Sequence, residues 1–437
     1  MQAHRETPVS WGRVLRAPHD VLRPSFRDQL PAALAASGGS AVPYGLGRSY
    51  GDSCLNPNGA LIAMRNLDRF IAFDGNTGVL RAEGGVSLAE VLELTVPAGW
   101  FLPTTSGTRF VTLGGAVAND VHGKNHHQAG SFCRHVRRIG LVRSDSGAMD
   151  LAAGDALFDA TAGGLGLTGL IAWVEIHLAP IRSAWLTQET IPFSGLDGFF
   201  ELAESSLNGW EFTVAWVDCT ARGRKLGRGI FSRANWSEQG GLEVHARRPR
   251  WAVPVEAPSF ALNPLSLAAF NALYQWQGER RAGLARAHYS SVFYPLDAIS
   301  HWNRLYGARG FYQYQSVVPL DAGREATRAM LDIIARSGQG SFLAVLKTLG
   351  PLASPGIISF PQAGVTLALD FANRGQATLD LLARLDAIVL DAGGRLYPAK
   401  DGRMTAALFQ AGYPRWRAFA AQVDPVLSSA FWRRVSA

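Results

Sequence analysis

The chain has 437 residues, 47% of them hydrophobic and 18% charged, with a formal charge of +7. That length exceeds what one hydrophobic core usually organises, so two domains are expected, and the composition excludes a disordered chain. Lys and Arg are scattered, with no helix-turn-helix or zinc pattern, which argues against nucleic acid as a partner but leaves a basic surface open to phosphates or anionic lipid headgroups.

The first twenty residues lack an apolar core and a cleavage site, so no signal peptide is expected. No uncharged apolar run is long enough for a spanning helix. Cys54, Cys133 and Cys219 are too far apart for a CxxC metal site or a disulfide framework, which suits a reducing compartment. The expected location is cytoplasmic or peripheral on a membrane.

Residues 40–180 read as short strands, turns and glycine loops. Strands are expected at Leu61–Met64, Phe70–Phe73 and Val79–Ala82. Ser87 and Glu90 form a capping box that opens a helix running to about Val96, with Pro97-Ala98-Gly99 closing it. Ser144–Gly147 reads as a hairpin turn, and Gly169–Leu178 as a buried strand. From 185 onward the elements lengthen. Strands are expected at Thr213–Asp218, Phe311–Val318, Ser341–Lys347 and Val365–Phe371, and amphipathic helices at Arg324–Ser337 and Gln376–Ala392. Residues 245–290 combine Arg247, Arg248, Arg250, Arg280 and Arg281 with Pro254, Pro258, Pro264 and an apolar stretch. They read as a flexible lid that touches a lipid chain or membrane surface, or as an ordinary loop.

Glycine is abundant, at 47 residues against roughly 30 from average usage. The strongest local signal is Pro43-Tyr44-Gly45-Leu46-Gly47-Arg48-Ser49-Tyr50-Gly51-Asp52-Ser53. Closely spaced glycines let backbone N–H groups approach a diphosphate. Ser53–Gly59 then reads as loop and turn rather than as an amphipathic helix, so a Rossmann unit is excluded. A second loop holds Gly107 and Thr112-Leu113-Gly114-Gly115, ending in Asn119-Asp120-Val121-His122. A third runs Gly163-Gly164-Leu165-Gly166 to Ile171. Each alone reads equally well as a structural turn; the three in this order are far more specific.

These loops resemble the vanillyl-alcohol-oxidase-type FAD-binding family. Within it, the segments Asp120–Phe132, Trp302–Gly307, Gly310–Gln315, Ser341–Lys347 and Gly394–Asp401 are similar to the decaprenylphosphoryl-β-D-ribose 2-oxidases. The resemblance runs from Trp11 to Pro425. It implies an α+β fold: a two-part FAD-binding domain, residues 1–184 with a returning C-terminal segment 396–437, and an inserted α+β substrate domain, 185–395, built on an antiparallel sheet. It implies FAD contacts on residues 43–53, Gly107, Thr112, Leu113, Gly114, Gly115, Asn119, Asp120, Val121, His122, Ile171 and Tyr397. The activity implied is oxidation of the 2-hydroxyl of a polyprenyl-phosphate-linked ribofuranose, with a short-chain reductase completing epimerisation to the arabinose form for cell-envelope polysaccharide. The reduced cofactor passes electrons to oxygen or a quinone.

Asp52 stands where many relatives attach FAD through a histidine, so the cofactor is expected to be non-covalent. Lys400 suits stabilisation of charge on the reduced flavin. Lys347, at the end of an apolar strand, either reaches solvent or enters the site; the resemblance favours the site. Gln313 and Gln315 share one strand face and suit hydrogen bonds to a sugar. Tyr50, Gln313, Gln315, Lys347 and Lys400 form the expected substrate side, and His122 or Lys347 is the candidate base. Tyr294 and Asp370 read as more structural. The spacing of His122, His126 and His127 lacks the pattern of a zinc site, and no metal is expected. Ala368 and Ala344 replace a cysteine and a nearby asparagine of the family pattern. Two other readings remain: an aldonolactone or alditol oxidase acting on a free sugar, and a glycolipid-binding protein that keeps FAD as scaffold.

Overall fold

The computed structural model describes residues 2–258 and 261–437. Near the N-terminus a four-stranded sheet runs in the order His4–Glu6, His19–Leu22, Ala60–Ala63, Ala41–Tyr44, with Ala60–Ala63 parallel to both neighbours. Beside it lies a five-stranded antiparallel sheet ordered Phe70–Asp74, Val79–Glu83, Leu170–His177, Val136–Arg143, Gly147–Ala152. The turn at Ser144–Gly147 joins its last two strands, as the polar cluster there predicts. Helix Leu88–Thr95 starts at the expected box: Ser87 N donates to Glu90 Oε2 at 2.8 Å and Glu90 N to Ser87 Oγ at 3.2 Å.

The third sheet is antiparallel and eight-stranded, ordered Gly283–His288, Trp185–Phe193, Gly229–Trp236, Phe212–Val217, Ala344–Leu349, Gly364–Ala372, Phe311–Val318, Arg395–Leu396. Strand alternation gives it two different faces. Tyr314, Leu346, Leu367 and Leu369 enter a core with Met330, Leu331, Leu382 and Leu385 of helices Leu320–Ser337 and Gln376–Asp391. The other face carries Gln313, Gln315, Lys347 and Ala368. Register puts Val345, Ala368 and Gln315 side by side across three strands.

Several boundaries differ from expectation for identifiable reasons. Helix Leu320–Ser337 begins four residues before Arg324 because Gly323 is a packing site, not a breaker: a Cβ there would stand 2.6 Å from Val365 Cγ2. The strand expected at Ser341 begins at Ala344. Ser341 Oγ is spent on a turn, donating to Leu343 O at 2.7 Å and accepting from Leu343 N and Asp370 N. Ala344 is fully buried in the helix-covered core, so the position where the family carries asparagine faces away from Gln313 and Lys347.

The stretch expected as a lid is largely secondary structure. Helix Pro264–Arg280 is capped by Asn263, whose side chain accepts from Leu265 N and Ser266 N, and Gly283–His288 pairs with Trp185–Thr190. Neither element was legible, because the helix turns large apolar residues outward and so shows no polar face in its periodicity. Val253 N donates to Ser300 O at 2.9 Å, and Arg13 pairs with Glu256. Ser259 and Phe260 of this stretch lie outside the described residues.

After Leu396 the chain runs back to the first sheet. Ala41 N donates to Val426 O at 2.9 Å, Ser428 N donates to Ala41 O at 2.8 Å, and Leu427 joins the core beneath. Arg434 of the last helix, Ala430–Val435, binds both Asp52 and Asp401, whose side chains are 8% and 4% exposed. Removing this guanidinium strands two buried carboxylates, a defect of a kind that costs several kcal/mol. Because Arg434 is itself 28% exposed, part of that cost is screened. Arg434→Ala is expected to lower stability by about 2–4 kcal/mol, measured by chemical denaturation; a loss below about 1 kcal/mol would show that the tail is held by its apolar contacts alone.

Candidate active site

One cavity of about 940 Å³ runs from the three glycine loops to the open face of the eight-stranded sheet. Pro43, Tyr44, Gly45, Leu46, Gly47, Arg48, Ser49, Tyr50 and Ser53 line it from the first loop. Gly107, Thr112, Gly114, Gly115, Asn119, Val121 and His122 line it from the second, and Ile171 from the strand after the third. Gly47 is required: its φ is +62°, and a Cβ would meet the Tyr44 hydroxyl at 2.3 Å.

Four expected cofactor residues do not line this cavity. Gly51 lets the chain close on the 397–401 turn, since a Cβ there would fall 1.5 Å from Asp401 O. Asp52 is engaged with Arg434. Leu113 is fully buried in the core under the second loop. Asp120 is fully buried, accepting from Cys133 N at 2.9 Å and Ser359 Oγ at 2.6 Å. All four shape the loops from behind. The loop position at which a histidine would bond the cofactor therefore holds an ion-paired carboxylate.

The sheet end of the cavity gathers His122, Gln313, Gln315, Lys347, Ala368, Tyr397 and Lys400. Lys400 comes from the turn after Arg395–Leu396, where Lys400 N donates to Tyr397 O and Tyr50 N donates to Ala399 O. Its ammonium sits 3.9 Å from the centroid of the Tyr50 ring. Tyr397 stacks on Phe360 and donates its hydroxyl to Asn119 O at 2.8 Å, tying the C-terminal turn to the second loop. Gln315 Nε2 lies 3.1 Å from His122 Nε2, while His122 Nδ1 is buried without a partner.

Burial controls the charges here. It pushes the Lys347 amine down to about 8, and Lys400 to about 7, with the Lys347 charge adding to the second shift and Asp370 opposing it. Burial, reinforced by both lysines, holds His122 well below the usual imidazole range, so it is neutral. Asp370 is raised to about 7 by burial, against hydrogen bonds from Gln313 Nε2 at 2.7 Å and Tyr306 OH, and against the Lys400 charge. Asp370, read from sequence as structural, is thus the carboxylate that faces the lysine cluster, one hydrogen bond behind Gln313.

The other histidines of the second loop have structural partners: His126 Nδ1 accepts from Gly350 N at 3.2 Å, and His127 Nε2 lies 3.1 Å from Trp210 O. Among the described residues no three His, Cys, Asp or Glu side chains converge as a metal site. Tyr294 shares a hydrogen bond with Thr105 and does not line the cavity. Sequence reasoning missed Trp11, Asp297, Trp302 and Asn303 on the cavity wall. Asp297 accepts from Thr108 Oγ1 and Arg109 N, joining a distant 3-10 turn to the second loop. Nothing in the spacing of these residues marks them.

The donor set fits FAD. Glycine-lined backbone suits a diphosphate, the cavity is continuous from those loops to the lysines, and His122 Nδ1 is buried without a partner. Fold and site together define the class, an FAD-dependent oxidoreductase of α+β type. A family described as "FAD binding domain" matches residues 18–151. Decaprenylphosphoryl-β-D-ribose oxidase of Mycolicibacterium smegmatis is 35% identical, across 98% of this chain and 96% of that one. An uncharacterized Streptomyces coelicolor protein is 32% identical across 80% of this chain and all of its own length. A D-lactate dehydrogenase of Anaerostipes hadrus shares 23% identity over 32% of the chain. The chain belongs to the decaprenylphosphoryl-β-D-ribose oxidase family of FAD-binding enzymes.

The lysine shifts carry a stability consequence. Lys347 titrates near 8 in the fold, against 10.5 for an ordinary lysine, so between those values the unfolded chain binds more protons and stability rises with pH. Lys347→Met removes the burden, with most effect below the lower value. In the FAD-free chain the variant is expected to gain about 2 kcal/mol near pH 6.5, fading by about pH 10.5, in urea titrations at both values. A gain independent of pH would mean that the amine is solvated.

Proposed function

We propose that the chain oxidises the 2-hydroxyl of a polyprenyl-phosphoryl-β-D-ribose to the 2-keto sugar, the first half of an epimerisation to the arabinose form. On this reading residues 1–184 with 396–437 hold FAD, and 185–395 present the sugar. A short-chain reductase partner uses the product, oxygen or a quinone takes the electrons, and the protein works at the surface of the membrane that holds its substrate. The observation that carries the proposal is the cluster of Lys347, Lys400, His122, Gln313 and Gln315 at one end of a glycine-lined cavity. The named activity of the Mycolicibacterium smegmatis relative agrees with it.

When bound, FAD supplies the hydride acceptor. The chain's residues orient the sugar and move one proton. Gln313 and Gln315, on one strand face, hydrogen-bond the sugar hydroxyls. Two amines titrating near 7 and 8 are poised at the working pH, where a general base is most effective. One accepts the hydroxyl proton while the other remains a cation. Neutral His122 orients the hydroxyl as a hydrogen-bonding partner. Ala368 brings no thiol into this row, so oxidation relies on none.

Anaerobic mixing with a polyprenyl-phosphoryl ribose is expected to bleach the flavin absorbance, whereas free aldonolactones and alditols leave it unchanged; the reverse pattern would assign a free-sugar oxidase, and no bleaching by either a binding protein. In the same assay Lys400→Ala is expected to slow reduction roughly 10²–10³-fold, the usual loss for one preorganised charge, with FAD content and thermal stability nearly unchanged. Unaltered reduction kinetics would remove Lys400 from the chemistry.

A further inference from the structure

Helix Pro264–Arg280 is inside out. Its buried positions are Leu267, Asn271 and Gln275, spaced four apart, and Asn271 Nδ2 donates to Asp218 Oδ1 at 2.9 Å. On the same side Gly278 presses on Ile230, where a Cβ would stand 2.4 Å from Cδ1. The large apolar residues face solvent instead: Leu265 is 83% exposed, Leu273 52% and Trp276 50%, with Phe270 and Tyr274 also exposed. A soluble surface helix shows the opposite arrangement. The edge strand beyond it adds Leu284, and the segment before it adds Trp251 and Val255, 72% and 70% exposed. So many large apolar side chains exposed on neighbouring segments of the chain mark a binding face.

Two further observations identify the occupant. Arginines 247, 248, 250, 280, 281 and 286 edge these elements, while the acids of the same stretch are already engaged, Glu256 by Arg13 and Glu279 by Gln275. Arg280 lies 4.9 Å from the centroid of the Trp276 ring. Aromatic rings with basic side chains at their margin suit the interface of an anionic bilayer. The face also borders the cavity mouth: Phe270 packs on Phe342, whose neighbour Leu343 lines the cavity, and Pro249 lines it beside Trp251. Among the described residues no helix is long and apolar enough to cross a membrane.

We propose that helix Pro264–Arg280, strand Gly283–His288 and the 247–255 segment form a docking face for an anionic phospholipid bilayer, setting the cavity mouth against the lipid surface. This rests on the reading that the sugar is carried on a polyprenyl phosphate, which would then enter without leaving the bilayer for water.

The test is sedimentation of the full-length, FAD-loaded protein with vesicles of phosphatidylcholine, alone or containing phosphatidylglycerol. Wild type is expected to bind the anionic vesicles, less so as salt rises. Leu273→Asp/Trp276→Asp should weaken that binding roughly tenfold or more. Arg280→Gln/Arg281→Gln should weaken it on anionic vesicles only. Both variants should keep FAD content and wild-type oxidation of polyprenyl-phosphoryl ribose in detergent. Wild type that ignores anionic vesicles, or apolar-face variants that bind as it does, overturns the proposal. So does a wild-type dimer that Leu273→Asp/Trp276→Asp dissolves without any vesicle binding, which would make the face a protein interface. Vesicle binding by a protein that fails to oxidise the lipid-linked sugar in detergent leaves docking standing and defeats the substrate reading alone.

Discussion

The site depends on one close approach: the 397–401 turn resting against the first glycine loop. Without a side chain at Gly51, the carbonyl of Asp401 occupies the space a Cβ would need, and Tyr50 N bonds to Ala399 O. That contact sets Lys400 over the Tyr50 ring, and the Tyr397 hydroxyl then fixes the second loop through Asn119. Residues some 350 positions apart are held in register by a backbone hydrogen bond and a close backbone contact, with the Tyr397 hydroxyl as a further tie, which is the kind of support a site needing sub-ångström placement requires.

The same enclosure sets the electrostatics. Lys347 and Lys400 line the same cavity, and the carboxylate of Asp370 stands outside it, behind Gln313. Burial costs each amine part of its proton affinity, and Asp370 restores some of it to Lys400. The cluster is therefore more reactive than a set of surface lysines and less stable than an apolar wall, a trade common at functional sites.

Much of this was legible in the sequence. Glycine loops announce close backbone approach, and period-two alternation in Phe311–Val318 puts Gln313 and Gln315 on one side, with Tyr312 and Tyr314 on the other. The capping box at Ser87 fixed a helix start to the residue. The parts that stayed hidden depend on partners distant in the chain. Asp52 and Asp120 sit in cofactor-type motifs yet turn away to Arg434 and to Ser359, which local spacing does not reveal. Gly323 looks like a boundary because its reason for being small is a valine on another strand. Helix Pro264–Arg280 is hidden by reversed polarity, since periodicity arguments presume that the apolar side faces inward.

The placement of the C-terminal turn also governs when the cradle can exist. The first two glycine loops come from the opening third of the chain, but Tyr397, Lys400 and the Asp401–Arg434 clasp come from its last segment. During synthesis the early sheets can assemble while the floor of the cavity is still missing, and contacts of such long sequence separation form late. Cofactor capture then waits for the 397–401 turn: a chain cut short before Tyr397 keeps its glycine loops and has nothing to close them. Loading with flavin thereby becomes a record that synthesis has passed the 397–401 turn.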